Sequence, residues 1–548
     1  MKGLRRLVLF LTAASLLLSA GCASSTTTGK NNSKGGLWDT GKFNSPGTFP
    51  ICKETVELSV CLPKAPQVED FATNTQTKLL EKEGNFKLNF TTLPQAEYHT
   101  KLNLMVASGG DDLADVLMGA FEDSQVYNYA MSGAIIPLTN YYKDAYYLKE
   151  AEKRTGVDFK PMITSPDGQI YGIARYNQSI SNEYPAKMYM FQDWLDKLSL
   201  KSPTTPDELY NVLKAFKTKD PNGNGQQDEI PMVGNTSNTY WIEYLMNPFV
   251  YAGDSNYFTV DNGKIGLAYT TDEWKEGLKF IKKLVSEDLL SPLSFTQDNK
   301  GYVSMLGQQP TVVGSFVQNG PSSIPANDKR RTQYSGVAPL IGKNGTQYAS
   351  YTPSVASIAM IISKNCKNPE AAFMLGDLLV SEEMSIHTRW GEKGVDYTEP
   401  KPGDISLYAD LGYKPSLVEV LPWGKLQNKH WAQQGPYIRQ YSISAGVVWS
   451  GDPLDTAPVI AKAQKLYFDK HPKEVIPKLI YTPEESDAVT ETLSSLKNYV
   501  RESVANFATG AQDIDTQWDS YLKNIEGMGA DDMLKNVQKA YDRMYKKK

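Results

Sequence analysis

Histidine is scarce. The 548 residues carry four, His99, His387, His430 and His471, at no spacing that would gather them round a metal, so a zinc centre or an imidazole base finds no support. Cysteine is equally rare. Beyond Cys22 there remain Cys52, Cys61 and Cys366, odd in number and without pattern, which argues against a disulfide framework. There is no basic excess. The 57 Lys and Arg stand against 62 Asp and Glu, a net charge of −5, and nothing points to nucleic acid as a partner. A phosphate-binding Walker loop is missing, so the chain has no ATPase motif of its own. The apolar run Leu7–Leu18, about twelve residues, is too short to cross a bilayer comfortably.

What is present is length, an apolar fraction of 41% and a heavy aromatic load of 32 Tyr and 9 Trp. That length exceeds one domain and accommodates two large α/β units. The N-terminus is a leader: Lys2, Arg5 and Arg6, then the apolar run, then LSAGC (18–22). This stretch resembles a bacterial lipobox, with Ser19 where Leu is usual. The implied chemistry is a diacylglycerol thioether on Cys22 with cleavage before it, and two acyl chains anchor stably. Residues 1–22 are therefore read as signal peptide and lipobox. Residues 23–50 are read as a flexible linker opening with ASSTTTGKNNSKGG, too polar to bury a core.

The body alternates. ETVELSVCLP (54–63) reads as a strand, NTQTKLLEKEG (74–84) as a helix and FKLNFTTLP (86–94) as a strand. EYHTKLNLMVASGG (97–110) follows as a helix and ADVLMG (114–119) as a buried strand. This β-α-β-α-β order predicts a parallel sheet with helices on its faces. A second α/β region opens near Ala186. Its helix start combines Thr205 as N-cap, Pro206 at N1 and Glu208 to complete a capping box. Strands are expected at 310–317 and 357–365. From Thr482 the chain reads helical to the end.

DPNGNGQQDE (220–229) concentrates three carboxylates in ten residues. Counted from Asp220, oxygen-bearing side chains fall at positions 1, 3, 5 and 9: Asp220, Asn222, Asn224 and Asp228. Gly225 sits at position 6, and Gln226 offers a backbone carbonyl at position 7. That is the ligand order of an EF-hand loop, except that position 12 is not Glu. Glu229, at position 10, is the nearest acid able to serve. A hard dication with flexible geometry, Ca²⁺ rather than Mg²⁺, would remove the repulsion, in a structural role.

WLDKLSLKSPTTPDELYNVLKAFKTKDPNGNGQQDEIP (194–231) resembles the extracellular solute-binding lipoproteins of ABC transporters, in the long oligosaccharide-binding class that includes the alginate-binding proteins. KLNLMVASGGDDLADVLMG (101–119), SPDGQIYGI (165–173), NPEAAFMLGDLL (368–379) and WGEKGVDYT (390–398) are similar to the same group. The resemblance implies two α/β lobes joined by hinge strands, with a helical C-terminal region. It implies calcium at Asp220, Asn222, Asn224, Gln226, Asp228 and Glu229. The expected division places 51–180 and 322–385 in lobe 1, and 181–321 and 386–548 in lobe 2 with the acidic loop. Crossings are expected at about 175–185, 320–355 and 380–400.

A sugar offers an apolar C–H face and a ring of hydroxyls, so its site needs aromatic platforms beside polar partners. The candidates are Arg175, Tyr176, Tyr240, Trp241, Glu243, Tyr351, Trp390, Glu392, Trp423 and Trp431. Trp194, Trp274 and Trp518 lie on helical faces and read as core. Three functions compete. The first is a monomeric receptor that passes an oligosaccharide to membrane permease subunits, with a cytoplasmic ATPase supplying energy, held at the extracellular face of the membrane. The second is a secreted polysaccharide-active enzyme, which would need paired carboxylates at the reacting bond. The third is an adhesive lipoprotein.

Overall fold

The structure is a computed structural model that describes residues 36–546, apart from Pro422 and Gly424. Cys22, the leader and the spacer up to residue 35 lie outside the described residues.

Fifteen strands are described: β1 (Val56–Lys64), β2 (Phe86–Pro94), β3 (Val116–Met118), β4 (Gly172–Asn177), β5 (Lys187–Phe191), β6 (Ile230–Val233), β7 (Phe258–Asp261), β8 (Lys264–Leu267), β9 (Val313–Gln318), β10 (Tyr334–Val337), β11 (Ser357–Ile362), β12 (Tyr397–Thr398), β13 (Leu417–Glu419), β14 (Ile438–Arg439) and β15 (Val447–Val448). Two sheets organise them. Lobe 1 holds β14-β4-β11-β3-β1-β2 and lobe 2 holds β10-β5-β9-β6.

In lobe 1, β1 pairs in parallel with β2 and β3, as the alternating pattern predicts. The helix Thr75–Gly84 between them starts at Asn74, whose side chain accepts from the Gln76 N–H, and stops at Asn85 with φ 55°. The sheet is mixed rather than parallel, because β11 arrives from the other lobe and runs antiparallel to β3 and β4. The chain enters this lobe at its first described turn. Leu37 N–H donates to Asp144 Oδ2 at 2.9 Å and Trp38 Nε1 to the Asp144 carbonyl at 2.7 Å.

In lobe 2, the helix Pro206–Thr218 begins as predicted, with Thr205 Oγ1 accepting from Glu208 N–H at 3.2 Å. The Glu208 carboxylate reaches back to Thr204 N–H at 2.7 Å, one residue earlier than a capping box requires. Three helices close the chain, Pro483–Thr509, Ile514–Gly527 and Ala530–Tyr545. They pack on this lobe, where Val500, Phe507 and Val537 join its core and Tyr521 donates to the Tyr269 carbonyl. Trp194, Trp274 and Trp518 are core residues. Cys52, Cys61 and Cys366 are free thiols.

The chain passes between the lobes at 178–186, 338–356 and 440–456. The third passage differs from the expected 380–400: the helix Glu382–Trp390 and residues 427–439 pack on lobe 1, while Tyr408 packs against Ala461 of the lobe 2 helix Ala457–Tyr467. Trp431 fixes residues 427–439 on lobe 1. It is fully buried against Phe71 and Phe90, its Nε1 donating to Thr77 Oγ1 at 2.9 Å, while β14 pairs with β4. Lobe 2 also extends beyond 321, since β10 pairs along β5 and Leu340 and Ala349 lie in its core. One carboxylate joins the three passages. Glu183, on the first, accepts from Ser354 Oγ on the second and Tyr441 OH on the third, each at 2.5 Å.

Glu243, a sequence candidate for the ligand site, is 2% exposed in the lobe 2 core and accepts from Thr239 Oγ1 at 2.7 Å. Burial pushes its carboxyl up to about 8, against hydrogen bonds from Thr239 and Ser350. An exposed Glu titrates near about 4.3. The folded protein therefore holds a proton that the unfolded chain releases, and stability falls as pH rises between those values. Urea unfolding at about pH 5 and about pH 8 should show the decline, and Glu243→Gln should remove up to about one proton from the slope. An unchanged slope in the variant would place the titrating group elsewhere.

Candidate ligand-binding site

A cavity of about 330 Å³ opens where the first and third passages meet the end of a lobe 1 helix. That helix, Glu382–Trp390, starts at Ser381, whose side chain accepts from Met384 N–H. It ends at Gly391 with φ 80°, where a Cβ would stand 2.5 Å from Asp396 Oδ2. The glycine stop presents Arg389 and Trp390 to the cavity from the last helical turn. Asn177 lines it from the end of β4, Ser179 and Asn182 from the first passage, and Ser444 and Val447 from the third. Ala457 and Ile460 of the lobe 2 helix Ala457–Tyr467 complete it, so both lobes contribute wall.

The aromatic and guanidinium groups alternate. The Arg389 guanidinium lies 4.2 Å from the Trp423 ring centre and 5.3 Å from that of Trp390. Arg439 lies 5.1 Å from Trp390 and 4.7 Å from Tyr437. Each contact attracts through the ring quadrupole by about 0.5–2 kcal/mol. Edge groups hold the stack. Arg389 Nη1 pairs with Glu419 Oε1 at 2.8 Å, Arg439 Nε donates to Asn177 Oδ1 at 3.2 Å, and Arg439 Nη2 donates to Gln433 Oε1. Gln433 and its neighbour Ala432 both take left-handed backbone, φ 64° and 52°, a local strain that aims the Gln433 amide at Arg439. Trp423 is 42% exposed, with His430 stacked parallel at 6.0 Å. Burial, then the Arg389 charge, pushes His430 down to about 4, so this imidazole is neutral near pH 7.

Of the ten sequence candidates, the structure brings Trp390 and Trp423 together in this cavity. Glu392 lines a separate cavity of about 900 Å³ beside Lys78, Lys82 and Glu382, walled mainly by lobe 1 groups. Tyr176 is buried against Phe159, and Trp431 is core. Arg175 donates to Ser357 Oγ across β4 and β11. Tyr351 stacks on His471 at 4.0 Å. Tyr240, Trp241 and Glu243 sit on the helix Tyr240–Met246 within lobe 2, where Trp241 donates to the Asn235 carbonyl. These eight are kept from the cavity by core packing or by distance along the fold. Arg389, Arg439, Glu419, Asn177 and Gln433 escaped the sequence reading. The available signal was Arg389 directly before Trp390 and Arg439 two residues after Tyr437.

The acidic loop closes on its own hydrogen bonds. Asp220 accepts from the N–H groups of Gly223, Asn224 and Gly225, and the amides of Asn222 and Asn224 donate to Asp228 at 2.8 and 2.9 Å. Gly225 has φ 74°, the sharp turn the loop requires. Among the described residues no three His, Cys, Asp or Glu side chains gather closely enough to form a metal cluster. Glu229, however, is 1% exposed, and both its carboxylate oxygens lack a partner among the described residues. Burial, followed by the charges of Asp220 and Asp228, raises its pKa. An orphaned acid beside two others fits a bound dication.

Comparison with known proteins agrees with this architecture. The model of the bacterial extracellular solute-binding protein family matches residues 64–385. The fructooligosaccharide ABC transporter substrate-binding protein FusA of Streptococcus pneumoniae is 27% identical over 97% of each chain. Its structure in complex with kestose superposes with a TM-score of 0.72 at 25% identity, covering 90% of this chain and 100% of that one. Another structure of FusA is of an EF-hand mutant with fructo-nystose. Lipoprotein LipO of Bacillus subtilis is 26% identical over 96% of each chain. Two lobes, a cavity walled by both and a family match over more than half its length assign the chain to the bacterial extracellular solute-binding proteins.

Proposed function

We propose that this protein captures an oligosaccharide between its lobes and delivers it to the permease of an ABC importer, a separate cytoplasmic ATPase supplying the energy. The observation that carries the reading is the aromatic–guanidinium cavity walled from both lobes at the hinge. Sugar faces stack on Trp423, and hydroxyls bond to the Arg389 and Arg439 edges, Asn177 and Gln433. Contacts to both walls exist together only in a closed form, so ligand shifts the population toward closure by its differential affinity. The likeness to FusA, named for fructooligosaccharide transport, supports the ligand class. Hydrolysis is disfavoured, since Glu419 is the one carboxylate among the cavity residues and is paired to Arg389, where glycosidases use two. The receptor works as a monomer.

Titration with a glycan panel tests this. A binding sugar should reduce the radius of gyration in solution scattering, and Trp423→Ala should weaken it about tenfold or more without unfolding. A tight ligand that leaves the scattering unchanged, or full affinity in the variant, would remove the hinge reading or this site respectively.

Asp220, Asn222, Asn224, the Gln226 carbonyl, Asp228 and Glu229 are proposed to hold one structural Ca²⁺. Calcium at a hundredfold its dissociation constant would add about 2.7 kcal/mol of stability. Chelation should lower the melting temperature, and Asp220→Ala should lower it in the presence of calcium. No effect of chelator on protein shown by elemental analysis to be metal-free would leave a solvated loop.

The chain is also proposed to be anchored through lipid on Cys22 at the extracellular face of the membrane. Cys22→Ser should then leave the precursor uncut or release the protein from membranes. Unaltered fractionation and processing would end that reading.

A further inference from the structure

Arg439 is 4% exposed and lines the cavity. A guanidinium has five N–H donors. Nε serves Asn177 and one Nη2 hydrogen serves Gln433, and Tyr437 adds a side-chain hydrogen bond, so every acceptor round the guanidinium is a group other than a carboxylate. The guanidinium lies over the rings of Trp390 and Tyr437, which stabilise a cation but do not neutralise it. The second guanidinium, Arg389, is matched by Glu419. The charged side chains of the cavity wall are therefore two cations and one anion. Arg439 feels this directly. Burial, with the like charge of Arg389 adding to it, pushes it down to about 10; Tyr437 opposes them, and no carboxylate does.

From Arg439, paired with no carboxylate, beside the paired Arg389, we infer that the cavity takes an acidic oligosaccharide, with the carboxylate of a uronic acid seated on the Arg439 guanidinium. This rests on the sugar-binding reading of the same cavity and specifies its ligand class. The planar fork suits a planar carboxylate, which accepts two parallel N–H bonds. Bonded to Asn177 and Gln433 and lying over the rings of Trp390 and Tyr437, the guanidinium is already oriented before ligand arrives. The sugar's apolar face lies against Trp423, and the acid neutralises the excess charge. Neutral hydroxyls could bond to the same edge, but they would leave the buried cation uncompensated.

Isothermal titration tests the inference on the unaltered protein. The probes are tri- and tetrasaccharides of galacturonate, glucuronate and mannuronate, each beside its carboxyl-reduced form, with neutral fructans and sulfated oligosaccharides as further arms. At least one uronate should bind about tenfold or more tightly than its reduced form, and added salt should narrow the gap. Arg439→Gln should close that gap while the thermal melt shows a folded protein. A reduced or neutral sugar that binds as tightly as any uronate overturns the acidic ligand and leaves oligosaccharide capture standing. Preference for the sulfated arm overturns the carboxylate. Failure of every sugar overturns both readings. Should Arg439→Gln not fold, the acidic-to-reduced ratio of the native protein still decides.

Discussion

The hydrogen-bonded carboxylate of Glu183 is the constraint on which the geometry of this molecule depends. It is 4% exposed and lies on the first interlobe segment, holding side chains from the other two. Lys187, which opens β5 directly after that segment, is wholly buried and spends its ammonium on the carbonyls of Ser181 and Tyr184 and on Asn319, not on this acid. Three covalent passages tied at one point leave the lobes a bending motion and little sliding. The cavity inherits that precision. Asn177 ends β4 just before the segment that carries Glu183, Ser444 follows Tyr441 on the third, and both are wall residues. Relaxing the node would displace the walls before it disturbed either core.

The site is assembled at a cost. Two guanidinium groups are withdrawn from water, which burial alone strongly disfavours. Stacking on three rings and the Glu419 pair return part of that energy, and what they leave uncompensated is available to a ligand. The neutral state of His430 belongs to the same balance, since a third cation beside Arg389 would raise the repulsion further. The arrangement is rigid before ligand binds, so less ordering has to accompany capture.

Regular elements were legible in the sequence because each carries a local signal. The alternation of FKLNFTTLP is β2, and Thr205-Pro206 opens its helix where expected. The leading β-α-β-α-β pattern gave a parallel core, while β11 escaped it because strand direction depends on where the chain returns from. Residues 427–439 were misplaced because they are short in periodic structure: their attachment depends on Trp431 and the two-residue β14, whose partners are hundreds of residues away. The candidate cavity was only partly legible for the same reason. Trp390 and Trp423 could be chosen as aromatics in polar surroundings, but so could Trp241, and nothing local separates a cavity wall from the core of a lobe. Arg439 acquires its meaning only when Trp390, Asn177 and Gln433 converge on it.

The docking of residues 37–38 onto Asp144 has a mechanical consequence. A pull on the chain at residue 36 enters lobe 1, through a turn fastened to that lobe's body. Lobe 2, with the acidic loop and the three closing helices, meets lobe 1 through the three interlobe segments and side-chain contacts such as Lys478 with Asp123. A force applied at that first turn therefore reaches the body of lobe 1 before it reaches the hinge.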